Sequence, residues 1–215
     1  MQSSGNSSGK CRVLLDAMGG DFAPLNEIKG AISAESDDKN LEVWLAGDKS
    51  KIISVMKENN LSFDISRIVD ASQVVTMSDP PVQAYKEKQD SSLAVGLRFV
   101  KNGNADAFVS AGNTGAVMTF SVLIFRKIKG VDRPTIGTLM PCVGGYCTIF
   151  DAGASVDSKA HHLAEYAVLG SIYAEEMLNI KNPRVGVLSV GEEESKGNEV
   201  SKKARKKKKT LGLNF

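Results

Sequence analysis

The sequence predicts an α/β domain with a largely parallel sheet. Short apolar runs of strand type alternate along the chain with segments that have the three- and four-residue spacing of amphipathic helices. This alternation is typical of repeated strand–helix–strand units, which build parallel sheets. A second indication is that three glycine-bearing turns each follow an apolar run and precede a helical segment. In open parallel sheets, turns of this kind meet beyond the carboxyl ends of the strands, where ligands bind.

The predicted elements follow one another from residue 12 to residue 209. Strands are expected where short apolar runs lie between polar or glycine-containing segments: 12–17, 41–47, 65–70, 105–110, 135–140, 146–151 and 184–190. Helices are expected where apolar residues recur at helical spacing: 25–36, 49–59, 93–102, 115–128, 161–178 and 198–209. Asp48 and Ser92 stand directly before two of these helices and are predicted N-caps. The glycine- and proline-containing stretch 129–145 is expected to form a loop or an edge region.

The first glycine-bearing turn is the run LDAMGGD at residues 15–21. Gly19 and Gly20 lie where a strand ends and a helix begins, so a ligand can approach the backbone closely. Asp16 and Asp21 flank them; they are candidates to orient a lysine or take a proton, or to form ordinary Asx turns. The run matches neither standard nucleotide-binding motif, because the Lys-Ser/Thr pair and a third glycine are both absent.

The second turn is SAGNTGA at residues 110–116. It again lies at a predicted helix start, where free N–H groups and the positive end of the dipole attract anions. Around Gly112, the side chains of Ser110, Asn113 and Thr114 are candidate ligands for an anion or a carbonyl group. The alternative is that Asn113 or Thr114 caps the helix without any ligand.

A further helix start carries a cation in the run KQDSSL at residues 88–93. Lys88, Ser91 and Ser92 are therefore candidate anion ligands. The third glycine-bearing turn, GEEESKGNE, spans residues 191–199 and places Lys196 beside Gly197. Lysine supplies a mobile positive charge, and a glycine-flanked polar loop after a strand suits an anion site. The neighbouring Asn198 is expected either to donate to the same anion or to cap the next helix.

The sequence offers little evidence for a metal site, a disulfide framework or a membrane span. The adjacent pair His161 and His162 has no HxxxH spacing and no carboxylate cluster near it in the sequence, so it predicts a structural or surface role and no metal site. Cys11, Cys142 and Cys147 are too few and too irregular for a disulfide framework, which indicates a reducing compartment. No apolar run reaches the roughly 18 residues of a membrane span.

Charge is distributed unevenly along the chain. Seven basic residues lie between 202 and 209; subtracting them from the 27 in the chain leaves 20, against 25 acidic residues. The basic end is expected to be a solvated helix end or to bind an acidic protein or an anionic surface. The first ten residues, MQSSGNSSGK, are expected to be a disordered leader, with one α/β domain over 11–215.

Several short motifs occur in a fixed order: LDAMGGD, VD followed by DPPV, KQDSSL, SAGNTGA, DAGASVD and GEEESKGNE. In this order they resemble the phosphate acyltransferase family of bacterial phospholipid synthesis, over about residues 11–215. Unrelated motifs in order are far more specific than any one of them. Gln89 departs from the pattern, because family members usually carry a second basic residue there.

The resemblance implies transfer of a fatty acyl group from acyl carrier protein to inorganic phosphate, which gives acyl phosphate for phospholipid synthesis. It implies a three-layer α/β fold with a mostly parallel sheet, similar to isopropylmalate dehydrogenases and phosphotransacetylases. A cytoplasmic homodimer is expected, with peripheral association at the inner face of the membrane. No cofactor, metal or nucleic acid is expected.

Phosphate is already a competent nucleophile, so such an enzyme needs only to hold the anion, orient the thioester and stabilise the oxyanion. Lys196, Asp21 and Asn198 are the predicted catalytic residues. The predicted phosphate- and substrate-binding residues are Asp16, Gly19, Gly20, Lys88, Ser91, Ser92, Ser110, Gly112, Asn113, Thr114 and Gly197.

Family members continue well past residue 215, and the run 211–215 resembles the opening of a further strand, so the chain is expected to be C-terminally incomplete. One alternative is a phosphotransacetylase-like acyltransferase that uses coenzyme A thioesters. Another is an inactive fragment that only binds partners through its basic end. A dehydrogenase is the weakest alternative, because no dinucleotide-binding fingerprint is present.

Overall fold

The structure, a computed structural model, describes residues 9–153, 157–191, 193, 196–208 and 211–214, with the backbone alone at 207 and 208. The chain divides into two compact units, Met1–Arg126 and Lys127–Phe215. All but two residues of the predicted leader lie outside the described ranges. Within those ranges, no helix has both the length and the apolar character needed to span a membrane.

The N-terminal unit is built on a four-stranded parallel sheet. Its strands are β1 (Cys11–Asp16), β2 (Leu41–Gly47), β3 (Ile68–Asp70) and β4 (Ala107–Val109). They lie in the order β3-β2-β1-β4, and every neighbouring pair is parallel. The helices of the unit are α1 (Leu25–Asp37), α2 (Lys49–Glu58), α3 (Pro81–Glu87), α4 (Ser92–Lys101) and α5 (Thr114–Phe125).

Both faces of this sheet are buried, because alternate residues of a strand point to opposite sides. On one face, Leu45 packs with Ile28 of α1 and Ile52 of α2. On the other face, Leu14 and Ala46 form a second apolar cluster against side chains of α4. Helices therefore cover the sheet on two sides, as is usual for parallel sheets. The predicted three-layer α/β fold with a parallel sheet is confirmed.

The strand order explains where this unit can hold a ligand. The chain runs outward from β1 through β2 to β3, and then returns to place β4 on the opposite side of β1. The gap between the carboxyl ends of β1 and β4 is a topological switch point, where connections leave in opposite directions and open a crevice. The first two glycine-bearing turns follow these two strands.

Helix starts in this unit follow the local sequence closely. The predicted N-cap Asp48 is confirmed, since its carboxylate accepts a hydrogen bond from the Lys51 N–H at 3.0 Å. The predicted cap Ser92 is wrong by one residue. Ser91 is the cap, with its Oγ accepting from the Ala94 N–H at 3.3 Å, and Ser92 is the first residue of α4.

The C-terminal unit has a β-hairpin and two helices. Strands β5 (Gly137–Cys142) and β6 (Gly145–Phe150) pair antiparallel, and the helices are α6 (Ala160–Leu178) and α7 (Glu199–Lys208). The turn residue Gly144 has φ +88°, a conformation that suits a tight hairpin. Phe150 of β6 packs on Tyr173 of α6 with ring centroids 5.8 Å apart, so the helix covers the hairpin.

Two other predictions about elements need correction. The strand predicted at 184–190 is absent from the described part of the chain, where this segment is extended without a partner strand. Its Val185 N–H donates to the Asn214 carbonyl at 2.8 Å, but a strand needs a continuing ladder of such bonds. The seven-residue helix α3 was not predicted, because two prolines at its start favour an extended or turn conformation.

Candidate functional site

The turns after β1 and β4 are joined by a chain of hydrogen bonds. The hydroxyl of Ser110 donates to Oδ2 of Asp16 at 2.8 Å and accepts from the Gly112 N–H at 3.1 Å. The other carboxylate oxygen of Asp16 accepts from the Met18 N–H at 3.1 Å. Asp16 is only 3% exposed, so its carboxylate is held by these bonds rather than by water. The four residues fix the shape of the crevice wall.

The same two turns approach each other too closely for side chains. A Cβ atom at Gly19 would lie 2.6 Å from Oδ2 of Asp16 and 3.0 Å from Oγ of Ser110. A Cβ atom at Gly112 would lie 3.2 Å from the Cα and carbonyl oxygen of Gly19. Gly19 and Gly112 therefore allow the two turns to approach each other, while the predicted approach of a ligand to the backbone stays a prediction.

Helix α5 begins directly after the second turn and presents free backbone donors. Thr114 and Gly115 form its first two positions, and both are exposed. Their N–H groups have no acceptor within the helix, because they lie in its first turn. These groups and the positive end of the helix dipole are of the kind that attracts anions, and binding of an anion beside Gly112 stays a prediction.

Asn113 caps α5 and also holds a neighbouring loop. Its Oδ1 accepts from the Ala116 N–H at 3.0 Å. Its Nδ2 donates to the carbonyl oxygens of Thr76, Met77 and Asp79 at 3.2, 3.2 and 3.1 Å. The capping alternative is thus confirmed for Asn113, whose carboxamide is committed to protein partners, and its binding of an anion stays a prediction.

Lys88 holds the same loop from the other side. Its Nζ donates to Oδ2 of Asp79 at 2.5 Å and to the carbonyl of Val74 at 2.8 Å. The ammonium of Lys88 and the Thr76 N–H lower the pKa of the Asp79 carboxyl below its ordinary value. The positive charge of Lys88 is therefore already neutralised inside the protein, and its role as a phosphate ligand stays a prediction.

Ser91 and Ser92 lie beneath the surface of this helix start. Ser91 is 0% exposed, and its hydroxyl donates to the Lys88 carbonyl at 2.7 Å while accepting from the helix. Ser92 is also buried. A ligand reaches neither hydroxyl without opening the start of α4. The structure shows the two serines in structural roles, and phosphate binding by them stays a prediction.

Glu27 of α1 also lies at the first glycine-bearing turn, although no sequence motif marks it. Its carboxylate oxygen Oε1 occupies the position that a Cβ atom at Gly20 would take. Within the described residues, its Oε2 is buried and has no hydrogen-bond partner. Burial raises the pKa of the Glu27 carboxyl, and the nearby charge of Asp16 raises it further. The predicted catalytic residue Asp21, next to Gly20, is exposed.

In the C-terminal unit, the third turn places Lys196 on the surface. Lys196 is exposed, and Gly197 has φ +94°, a backbone conformation that glycine adopts readily. The Oδ1 of Asn198 accepts from the Ser201 N–H at 2.9 Å, so Asn198 caps α7. Glu192, Glu194 and Ser195 of this turn lie outside the described residues.

Arg205 of α7 holds the third turn in place. Its guanidinium donates to the carbonyl oxygens of Gly191, Glu193 and Lys196 at 3.4, 3.2 and 3.2 Å. From the sequence, Arg205 is predicted only to be one member of a solvated basic run. Its structural role depends on a contact with backbone nine to fourteen residues earlier, which no side-chain pattern reveals.

Comparison with known proteins identifies relatives over nearly the whole chain. Residues 11–215 match the model of a family described as "Fatty acid synthesis protein". The chain is 45% identical over 205 residues to a phosphate acyltransferase of Desulfitobacterium hafniense, covering 95% of this chain and 60% of the relative. It is 42% identical over 204 residues to a phosphate acyltransferase of Thermoanaerobacterium thermosaccharolyticum, with the same coverage. The chain therefore spans about 60% of the length of these relatives.

Two solved phosphotransacetylases have a similar fold. The protein from Streptococcus pyogenes has a TM-score of 0.64 at 19% identity, over 94% of this chain and 65% of its own. The protein from Staphylococcus aureus has a TM-score of 0.63 at 20% identity, over 94% of this chain and 64% of its own. At this identity the likeness concerns the fold alone.

Proposed function

Because the chain belongs to the fatty acid synthesis protein family, whose curated relatives are named phosphate acyltransferases, we propose that it transfers a fatty acyl group from acyl carrier protein to inorganic phosphate. The observation that carries the proposal is the contact between the two glycine-bearing turns at the switch point, beside the exposed first turn of α5. This arrangement offers backbone donors to an anion where the fold opens a crevice.

In the proposed reaction, an oxygen of phosphate attacks the carbonyl carbon of the acyl thioester. The new C–O bond gives acyl phosphate, the C–S bond breaks, and the thiol of acyl carrier protein leaves with a proton. No nucleophile from the protein is needed. The protein lowers the barrier by holding phosphate against the thioester and by stabilising the charge that develops on the carbonyl oxygen.

In this proposal, the groups of the N-terminal unit that donate hydrogen bonds to phosphate are backbone N–H groups. The Ser110 hydroxyl gives its hydrogen to Asp16 and accepts from Gly112, so it positions the turn and has no hydrogen left for phosphate. We therefore assign phosphate binding to the N–H groups of Thr114 and Gly115 at the start of α5. Asp16 and Ser110 act through the turn as positioning residues.

Asp21 of the N-terminal unit and Lys196 of the C-terminal unit are the proposed catalytic side chains. Lys196 has an exposed ammonium on a glycine-flanked turn, which suits neutralisation of phosphate or of the oxyanion. Asp21 is an exposed carboxylate next to Gly20, which suits acceptance of the proton that phosphate loses. Asn198 supports Lys196 by capping the helix that follows its turn.

The partners follow from the same proposal. Acyl carrier protein is acidic, and the basic side chains of α7, among them Lys203 and Lys206, suit its approach. We further propose a cytoplasmic homodimer that associates peripherally with the membrane and uses no cofactor or nucleic acid. A coenzyme A thioester is the alternative acyl donor.

The test is phosphate-dependent release of free acyl carrier protein thiol by the purified 215-residue chain, compared with Lys196→Ala. Lys181→Ala is the matched control, because it removes the same charge from an exposed position of the C-terminal unit. The proposal predicts release by the wild type and the control, and a loss of at least tenfold in Lys196→Ala. Release that is independent of phosphate, or that is equal in all three proteins, contradicts it. Faster turnover of acyl coenzyme A supports the alternative donor.

A further inference from the structure

The start of α6 in the C-terminal unit brings together three side chains of the kind that bind metal ions. Oδ2 of Asp132 lies 3.3 Å from Nε2 of His161 and 3.2 Å from Nε2 of His162. The three ligand atoms all lie within 4.8 Å of one another. Asp132 is 29 residues from His161 in the sequence, so the fold alone creates this cluster.

The two distances from the Asp132 carboxylate match those of a tetrahedral zinc site. With Zn–N and Zn–O bonds of about 2.0–2.1 Å, tetrahedral ligand atoms lie about 3.3 Å apart. Two imidazoles and one carboxylate are borderline ligands that favour Zn²⁺ over Mg²⁺ or Ca²⁺. We propose that Asp132, His161 and His162 bind one Zn²⁺ ion, with a water molecule in the fourth position. The sequence predicts no metal site here, because spacing along one segment does not reveal a ligand as distant as Asp132.

The exposure of the three side chains suits an open fourth position. The side chains of Asp132 and His161 are 61% and 43% exposed, and that of His162 is 9% exposed. His162 is thus the buried anchor of the site, while the other two ligands face solvent. Three protein ligands plus water is the usual arrangement of a zinc site that is not closed by protein.

Surrounding contacts already hold the backbone of Asp132 in position. The Asp132 N–H donates to Oε2 of Glu165 at 3.1 Å, and the Asp132 carbonyl accepts from Nζ of Lys127 at 2.6 Å. Such contacts beyond the ligands orient metal-binding side chains and raise affinity. Bound zinc would therefore tie the segment around Asp132 to the start of α6.

Binding of Zn²⁺ breaks one hydrogen bond, between the Lys159 N–H and Nδ1 of His162. His162 Nδ1 accepts from the Lys159 N–H at 3.2 Å, which leaves the proton of the neutral ring on Nε2. Zn²⁺ at Nε2 requires that proton on Nδ1 instead, so the bond from Lys159 is given up. The amide signal of Lys159 is therefore an additional, local reporter of zinc binding.

The experiment is titration of the untagged chain with ZnCl₂, followed by NMR of the imidazole nitrogens. The chain has two histidines, so both ring signals are assigned directly. We expect saturation at one Zn²⁺ per chain, with both Nε2 signals and the Lys159 amide shifted. Asp132→Asn and His161→Gln, both at exposed positions, are expected to weaken binding at least tenfold.

The matched control replaces the three exposed cysteines, which are the competing zinc ligands of the chain. Cys11→Ser, Cys142→Ser and Cys147→Ser in one protein should leave the affinity unchanged. Equal affinity of the wild type and Asp132→Asn would overturn the proposal, as would loss of binding in the cysteine variant. Because Zn²⁺ is the only ligand added, the result is independent of the proposed acyl transfer.

Discussion

Substitution of Gly19 by alanine is the sharpest test of how the two turns form the crevice. The added methyl carbon would lie 2.6 Å from Oδ2 of Asp16, which is far inside van der Waals contact. The carboxylate cannot rotate away freely, because Asp16 is buried and bonded at both oxygens. The methyl group therefore displaces Oδ2 from the Ser110 hydroxyl.

The expected decrease in the free energy of unfolding follows from loss of the hydrogen bond between Ser110 and Asp16. A hydrogen bond to a charged group contributes about 1.5–3 kcal/mol to stability. We expect Gly19→Ala to destabilise the N-terminal unit by about 2 kcal/mol, or roughly 30-fold in its folding equilibrium. Gly30→Ala is the matched control, because Gly30 lies in α1 with nothing within 4 Å of the added Cβ. It should stabilise the unit by about 0.5–1 kcal/mol through its higher helix propensity.

Urea unfolding followed by tryptophan fluorescence measures both changes. Trp44 is the single tryptophan of the chain, and it lies in β2 against the ring of Phe99, with centroids 5.3 Å apart. Its emission therefore reports the N-terminal unit. We expect a lower urea midpoint of unfolding for Gly19→Ala and a higher one for Gly30→Ala. The slope of the unfolding free energy against urea concentration should be unchanged. If Gly19→Ala unfolds at the wild-type urea concentration, the two turns are not packed as described.

Two further predictions concern residues around the same crevice. Glu27→Gln should stabilise the unit by about 1 kcal/mol at pH 7, because burial disfavours the charged form of the carboxyl group and its Oε2 has no hydrogen-bond partner among the described residues. Since the folded-state pKa of Glu27 is raised, this difference should disappear below about pH 4 in urea unfolding measured across pH. Asn113→Ala should cost about 1–2 kcal/mol, since it removes the cap of α5 and three bonds to the loop 76–79. Asn113→Asp should recover the cap alone, so an unfolding midpoint equal to that of the wild type would contradict the role given to the donor nitrogen.

The sequence predicted the parallel sheet well because each strand is a short apolar run buried on both faces. Gly19, Gly112 and the start of α5 were likewise visible as glycines at strand-to-helix junctions. What the sequence could not show is the contact between Asp16 and Ser110, which are 94 residues apart and meet only because β4 lies beside β1.

Other contacts were hidden from the sequence for the same physical reason. The sequence shows Lys88 only as a cation at a helix start. The loop before α3 brings the Asp79 carboxylate and the Val74 carbonyl to its ammonium group. Glu27 carries no motif, and only packing against Gly20 buries it. The segment 184–190 has the composition of a strand, but composition does not supply a pairing partner.

The most direct test of the central claim is binding of inorganic phosphate to the chain, followed by backbone amide NMR. We expect saturable shifts of the Thr114 and Gly115 amide signals, together with that of Gly112. The amide of Gly30, on exposed α1, should not move. Shifts that are absent from the start of α5, or that spread evenly over surface amides, would contradict a phosphate site at the switch point.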